Sequence, residues 1–189
     1  MSLEFFKKHL NTILMIVIVL MGVEILYLAW QNQQLTAMIR DPKQVFKTLD
    51  SGDRVPSLVA EDLDGNEVNL RYGDGEPHTL LFWFSPSCES CEANLDFWNV
   101  LYSDNQKGTV RFLGFCACSP DEAYGIVEEE ALGFPVVCAL DPFIVDSYKG
   151  NVLPQTVLIA PDGTIRKVWP GSLLEGQREE IVSALESLN

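Results

Sequence analysis

The stretch Leu80–Cys91 reads LLFWFSPSCESC. Its first half, with Thr79 ahead of it, is a continuous apolar run, as expected of a strand buried on both faces of a parallel sheet. Its second half places Cys88-Glu89-Ser90-Cys91 where the strand ends and a helix begins. Leu95, Trp98 and Leu101 or Tyr102 then recur on one stripe, which predicts a helix over Cys88–Tyr102. A cysteine at a helix mouth meets free N–H groups and the positive end of the helix dipole, and both stabilise a thiolate. Two intervening residues in a helical first turn bring the sulfurs within bonding distance. Such a dithiol can attack a disulfide through Cys88 and release itself by internal exchange through Cys91.

Elements on either side fill out an α/β pattern. Leu58–Leu70 (LVAEDLDGNEVNL) alternates around Asp64-Gly65, a hairpin signal. Val110–Phe115 is a second strand. Ser119-Pro120-Asp121-Glu122 is a capping box with Pro at the first helical position, and the helix is expected to run to about Leu132. Phe134–Val137 reads as a short strand. Thr156–Ala160 and Thr164–Trp169 flank the turn Pro161-Asp162-Gly163, and Gly176–Leu188 closes the chain as a helix. Strand–helix–strand–helix followed by hairpin–helix predicts one sheet with a parallel half and an antiparallel half.

The amino-terminal segment is of another kind. From Ile13 to Trp30, 16 of 18 residues are apolar. Leu10–Trp30 as a helix spans about 31 Å, the thickness of a bilayer core. Leu28-Ala29-Trp30 is a poor cleavage site, which favours an uncleaved anchor over a signal peptide. Tyr27 and Trp30 suit an interfacial belt. Glu24 reads as a tolerated carboxylate near the outer end, the sharper alternative being a contact to another membrane helix. Lys7 and Lys8 on the short amino side, against Arg40 and Lys43 further out, favour a cytoplasmic tail over residues 1–9. The expected division is a tail at 1–9, an anchor at 10–30, a juxtamembrane helix and linker at 31–53, and a globular domain at 54–189 facing an oxidising space.

Of 189 residues, 47% are apolar and 21% charged, a globular composition. Lys and Arg number 13 against 27 Asp and Glu, a net charge of −14. That balance excludes nucleic-acid binding, which needs a basic face, and a basic grip on anionic lipid. His9 and His78 are badly placed for ligation and read as surface residues. Glu128-Glu129-Glu130 reads as a solvated helix face.

Together with LPQT at 153–156, these features resemble the thioredoxin-like family, and within it the membrane-anchored, extracytoplasmic TlpA/ResA type. The carrying residues are EDLDGNEVNL at 61–70, LLFWFSPSCESC at 80–91, FPVV at 134–137 and LPQTVLIAPDGTIRKVWPG at 153–171. The resemblance covers 54–189 and the anchor. It implies a thioredoxin-like fold, a central mixed sheet flanked by helices with a β-hairpin extension before it. It also implies that Cys88 is the exposed nucleophile, Cys91 its buried partner, and Pro154 a cis proline beside the dithiol. Leu153 would then offer its backbone to an incoming peptide. A membrane thiol carrier as electron donor, and protein disulfides of maturing clients such as apocytochromes as substrates, follow from the same resemblance. The chain departs from the family at Ser87, where a Trp is usual, at Phe82, where thioredoxin has a buried acid, and at Asn94, where ResA-type proteins have a Glu. The motif is also similar to MauD-type maturation factors, and the rival reading is a non-enzymatic assembly factor.

Glu89, Glu92 and the −15 carried beyond residue 40 disfavour a thiolate at Cys88, which makes the pair a reductant. No metal and no cofactor beyond the cysteine pair is expected. Cys116, Cys118 and Cys138 fall at carboxyl ends of expected parallel strands. In extended chain, Cys116 and Cys118 lie too far apart to bond easily, so a disulfide from one of them to Cys138 is the favoured pairing. One reading is a structural disulfide plus one buried thiol; the other is a second dithiol exchanging with Cys88 and Cys91. A zinc site from Cys88, Cys91, Cys116 and Cys118 lacks the usual second CxxC. For peroxidase chemistry, Leu81 stands where a Pro is needed.

Overall fold

The computed structural model describes residues 3–40, 48–105 and 110–188. The chain divides into two units, Met1–Phe46 and Lys47–Asn189. The first is helix α1, Leu3–Arg40, within which Ile13–Gln33 is long and apolar enough to cross a membrane. That span starts three residues beyond the expected one, and the helix runs on through the first part of the expected linker. Lys43 and the rest of 41–47 lie outside the described residues, as do the side chains of Lys7, Lys8, His9 and Arg40.

In the second unit, β1 (Leu58–Glu61) and β2 (Glu67–Leu70) form an antiparallel hairpin. Gly65 takes the positive φ of +78° that its turn requires. The main sheet has the order β5-β4-β3-β6-β7. It consists of β3 (His78–Phe84), β4 (Val110–Cys116), β5 (Val136–Cys138), β6 (Gln155–Ile159) and β7 (Ile165–Pro170). β3, β4 and β5 pair in parallel, and β3, β6 and β7 pair antiparallel, the mixed sheet that the element order implies. The central β3 is buried from Thr79 to Phe84, as its uninterrupted apolar run demands. Its alternate residues serve two cores. Leu80, Phe82 and Phe84 face one, with Leu95, Trp98 and Ile181, while Leu81 and Trp83 face the other, with Leu70, Ile144 and Tyr148.

Helix α2 (Glu89–Asp104) links β3 to β4 and buries Leu95, Trp98 and Leu101 against the first core. Phe82, at the position of thioredoxin's acid, stacks on the Trp98 indole with ring centroids 4.7 Å apart. The indole N–H donates to Thr156 Oγ1 at 3.0 Å, so its one polar atom is satisfied inside the core.

Helix α3 (Pro120–Glu129) opens on the expected capping box, with the Glu122 carboxylate accepting from both the N–H and the hydroxyl of Ser119. The Ser119 hydroxyl, then its backbone N–H, hold the Glu122 carboxyl below the usual range. A depressed folded value stabilises above the unfolded pKa, and that stability is lost as pH falls through the folded value. The difference in Tm between the wild type and Glu122→Ala is therefore expected to be small but present near neutrality. It should close as pH drops below about 4, measured by thermal melts across pH.

α3 stops three residues short of the expected Leu132. Ala131 adopts φ +48°, outside helical space. The side chain of Asn99, on α2, caps the end by donating to Ala131 O at 2.8 Å and accepting from Gly133 N at 2.8 Å. The expected strand at 134–137 is displaced to 136–138, with Pro135 O accepting from Gly114 N at its start. Two helices complete the unit, α4 (Pro142–Ser147) and α5 (Glu175–Glu186). α4 escaped the sequence reading although its start signal is present: Pro142 follows Asp141, whose carboxylate accepts from Phe143 N at 2.7 Å. Of the Glu triplet, Glu128 and Glu129 are exposed and Glu130 is half-buried at the helix end.

Candidate active site

Cys88 stands at the amino-terminal cap of α2 and Cys91 one turn inside it. Backbone geometry fixes the turn: Cys88 N donates to Ser85 O at 3.1 Å, and Cys91 N donates to Cys88 O at 2.8 Å. Ser85 and Ser87 hydroxyls lie 3.0 Å apart and brace the approach. The two sulfurs are joined as a disulfide across a Cα separation of 5.3 Å. Cys88 is half-buried, whereas Cys91 is 1% exposed. The two sulfurs are thus unequal, and an incoming group meets Cys88 first. The Ser90 hydroxyl lies 3.4 Å from Cys88 Sγ, and Glu89 and Glu92 point to solvent.

The register of β3 with β6 pairs Trp83 with Gln155. Pro154, buried and preceding Gln155, therefore lies at the same end of the sheet as Phe84 and the cysteine turn. The Leu153–Pro154 peptide bond is cis. Leu153 and Cys88 both pack, half-buried, on the first core. Gly171 N donates to Pro154 O at 2.8 Å, tying the proline segment to the loop that leads into α5.

Asn94 is the residue of this site whose role sequence reasoning missed. It is fully buried on α2, one turn beyond Cys91. Its Nδ2 donates to Gly171 O at 3.1 Å and its Oδ1 accepts from Leu173 N at 2.8 Å. Ser172 Oγ, between them, donates to Ser90 O at 3.0 Å. One neutral amide thus locks the dithiol helix to the loop that also holds Pro154. The signal was its place three residues after Cys91; its partners lie 77 and 79 residues away in sequence.

The remaining cysteines correct the favoured pairing. Cys116 is bonded to Cys118, and Cys138 is free. An extended chain would hold the two sulfurs apart, but β4 ends at Cys116 and the backbone bends through Ala117, bringing the two Cα atoms to 5.3 Å. Burial pushes the Cys138 thiol above its ordinary range. The four cysteines weighed as zinc ligands are engaged in two disulfides. His78 starts β3, at the end of the strand away from Cys88, where burial and then the Arg166 cation hold its imidazole below the usual range.

The pattern of the AhpC/TSA family matches residues 51–168. The chain belongs to this family. Among curated relatives, the thiol-disulfide oxidoreductase ResA of Geobacillus thermodenitrificans is 30% identical over 138 residues, which span 72% of this chain and 77% of that protein. ResA of Halalkalibacterium halodurans is 29% identical over 137 residues, with the same coverage of each. Among solved structures, the thioredoxin domain of a Bacteroides vulgatus thiol-disulfide oxidoreductase superposes with a TM-score of 0.61 at 20% identity, covering 75% of this chain and all of that one. A secreted Mycobacterium tuberculosis disulfide oxidoreductase homologous to DsbE gives 0.58 at 19%, covering 69% and 96%. The two structural likenesses establish the thioredoxin-like fold, and the curated relatives match the TlpA/ResA type.

Proposed function

We propose that this membrane-anchored thiol–disulfide oxidoreductase works as a reductant of protein disulfides on the outer side of the membrane. The observation that carries the reading is the unequal dithiol, Cys88 half-buried at a helix mouth and Cys91 buried beneath it. In the reduced protein the Cys88 thiolate attacks one sulfur of a client disulfide, and the client's other sulfur leaves as a thiolate. Cys91 then attacks Cys88 Sγ, closing the internal disulfide and releasing the client's second thiol. Two electrons pass to the client, and the internal disulfide bond described above is the resulting state. A dithiol of a membrane thiol carrier restores the reduced form by the same exchange in reverse. Leu153 offers its backbone to the client peptide alongside Pro154.

Direction follows from charge. Glu89 and Glu92 lie in the first turn of α2, which has no basic residue in its last turn, and they destabilise a thiolate at Cys88. A destabilised reduced form makes a better electron donor. The orientation rests on Lys7 and Lys8, which precede the apolar span Ile13–Gln33 that fits a single-pass anchor.

Equilibration of the full chain in defined thiol–disulfide buffers tests the direction. The expected midpoint lies well below about −180 mV, the value of protein disulfide isomerase, and a midpoint near −120 mV would make the protein an oxidant instead. Protease added to right-side-out vesicles should digest residues beyond the anchor; protection of that region would reverse the orientation.

A further inference from the structure

We propose that Cys116, Cys118 and Cys138 form a second thiol–disulfide exchange centre, with Cys116 as the shared sulfur and Cys138 as the incoming thiol. The register carries the argument. β4 and β5 are parallel and pair Cys116 directly with Cys138. Paired strands run about 4.8 Å apart, inside the Cα separation of roughly 4.4–6.8 Å that a disulfide spans. Cys116 is therefore within bonding reach of two partners. One is local, Cys118, at 5.3 Å between Cα atoms, and the other is across the strands. The pleat puts Cys116 and Cys138 on one side, and Cys118, beyond the end of β4, packs on the same core. Phe84, Cys116, Cys118 and Cys138 belong to the first core, while Phe115 and Val137, their strand neighbours, belong to the second.

The present pairing is a poor staple. The bond spans a single residue, Ala117, and the stabilisation from closing a loop shrinks with its length. The backbone already holds this corner: Ala117 N donates to Phe84 O at 2.9 Å and Ala139 N donates to Cys116 O at 2.7 Å. Cys116 and Cys118 are buried while Cys138 is half-exposed, so Cys138 is where the centre meets solvent.

The exchange balances without an outside oxidant. Cys138 gives its proton to water, and its thiolate attacks Cys116 Sγ. The Cys116–Cys138 bond forms as the Cys116–Cys118 bond breaks, and Cys118 leaves as a thiolate that takes up a proton. The two isomers differ in kind, one a local loop and the other a clamp between β4 and β5. Cys88 and Cys91 pack on the same core.

The oxidised full chain in detergent tests this, incubated at pH 8 without reductant, acid-quenched, labelled with N-ethylmaleimide and mapped by mass spectrometry. Label on Cys118 in peptides carrying a Cys116–Cys138 bond, rising with time to a plateau, is the expected result. Label confined to Cys138 at every time overturns the proposal. Cys138→Ala should lose the Cys118 label altogether; its persistence shows that the bond opens without Cys138, which overturns it too. Cys118→Ala, oxidised with glutathione disulfide, should yield the Cys116–Cys138 bond, and two labelled thiols in a variant that melts cooperatively overturn the proposal.

Discussion

Cys91→Ala, presented with an excess of a disulfide-bonded client protein, is expected to accumulate as a mixed disulfide through Cys88, and Cys88→Ala is expected to accumulate none. The asymmetry follows from access. Cys88 caps α2 half-buried, whereas Cys91 is 1% exposed and reaches only the Cys88 sulfur, once that sulfur is bonded to the client. Without Cys91 the covalent intermediate has no internal thiolate to resolve it, and it persists until an outside thiol arrives. Without Cys88 no accessible nucleophile remains at the helix mouth. Insulin reduction should fall to the uncatalysed background in both variants, so turnover alone does not separate them. Non-reducing electrophoresis does, because only Cys91→Ala shifts to the mass of the adduct. Equal adducts from both variants would mean that either sulfur can attack, and the burial difference would then carry no mechanistic weight. Adducts from neither would return the chain to the reading of a client-binding assembly factor whose cysteines are structural.

Where sequence reasoning succeeded, the deciding signals were local or binary. An apolar run as long as Leu80–Phe84 has no solvent-facing option, so its place at the sheet centre follows from composition. The turns at Asp64-Gly65 and Pro161-Asp162-Gly163 announce their hairpins because glycine supplies the positive φ, +78° at Gly65 and +81° at Gly163. The cysteine turn is legible for the same reason, four residues acting within one helical turn. What the sequence concealed depends on tertiary neighbours. The end of α3 is decided by Asn99 on another helix. The Cys116–Cys118 bond depends on a bend that period-two reasoning cannot see. α4 is only six residues long, too short for periodicity to register against its surroundings.

The departure at position 94 has the largest consequence for stability. Asn94→Ala is expected to destabilise the domain by roughly 3 kcal/mol. The buried Leu173 N–H and the half-buried Gly171 C=O lose their partner at once; a buried group left unpaired costs about 1–3 kcal/mol, and the carbonyl adds a smaller amount. For a domain of this size that corresponds to a fall in Tm of about 6–12 °C. Asn94→Leu, which keeps the volume but not the amide, should cost a similar amount. That comparison separates lost hydrogen bonds from lost packing. The amide does more than hold the fold. Through Gly171, whose N–H donates to Pro154 O, it fixes the cysteine helix relative to the proline segment. Client reduction by Asn94→Ala, measured well below its melting point, should therefore fall several-fold. The midpoint potential should stay near that of the wild type, because no charge has changed beside Cys88. A Tm within about 1 °C of the wild type would show that water replaces the amide and that the loop does not depend on it. An unchanged stability together with a shifted potential would place Asn94 in the proton chemistry of the dithiol, and its two backbone bonds would then be incidental.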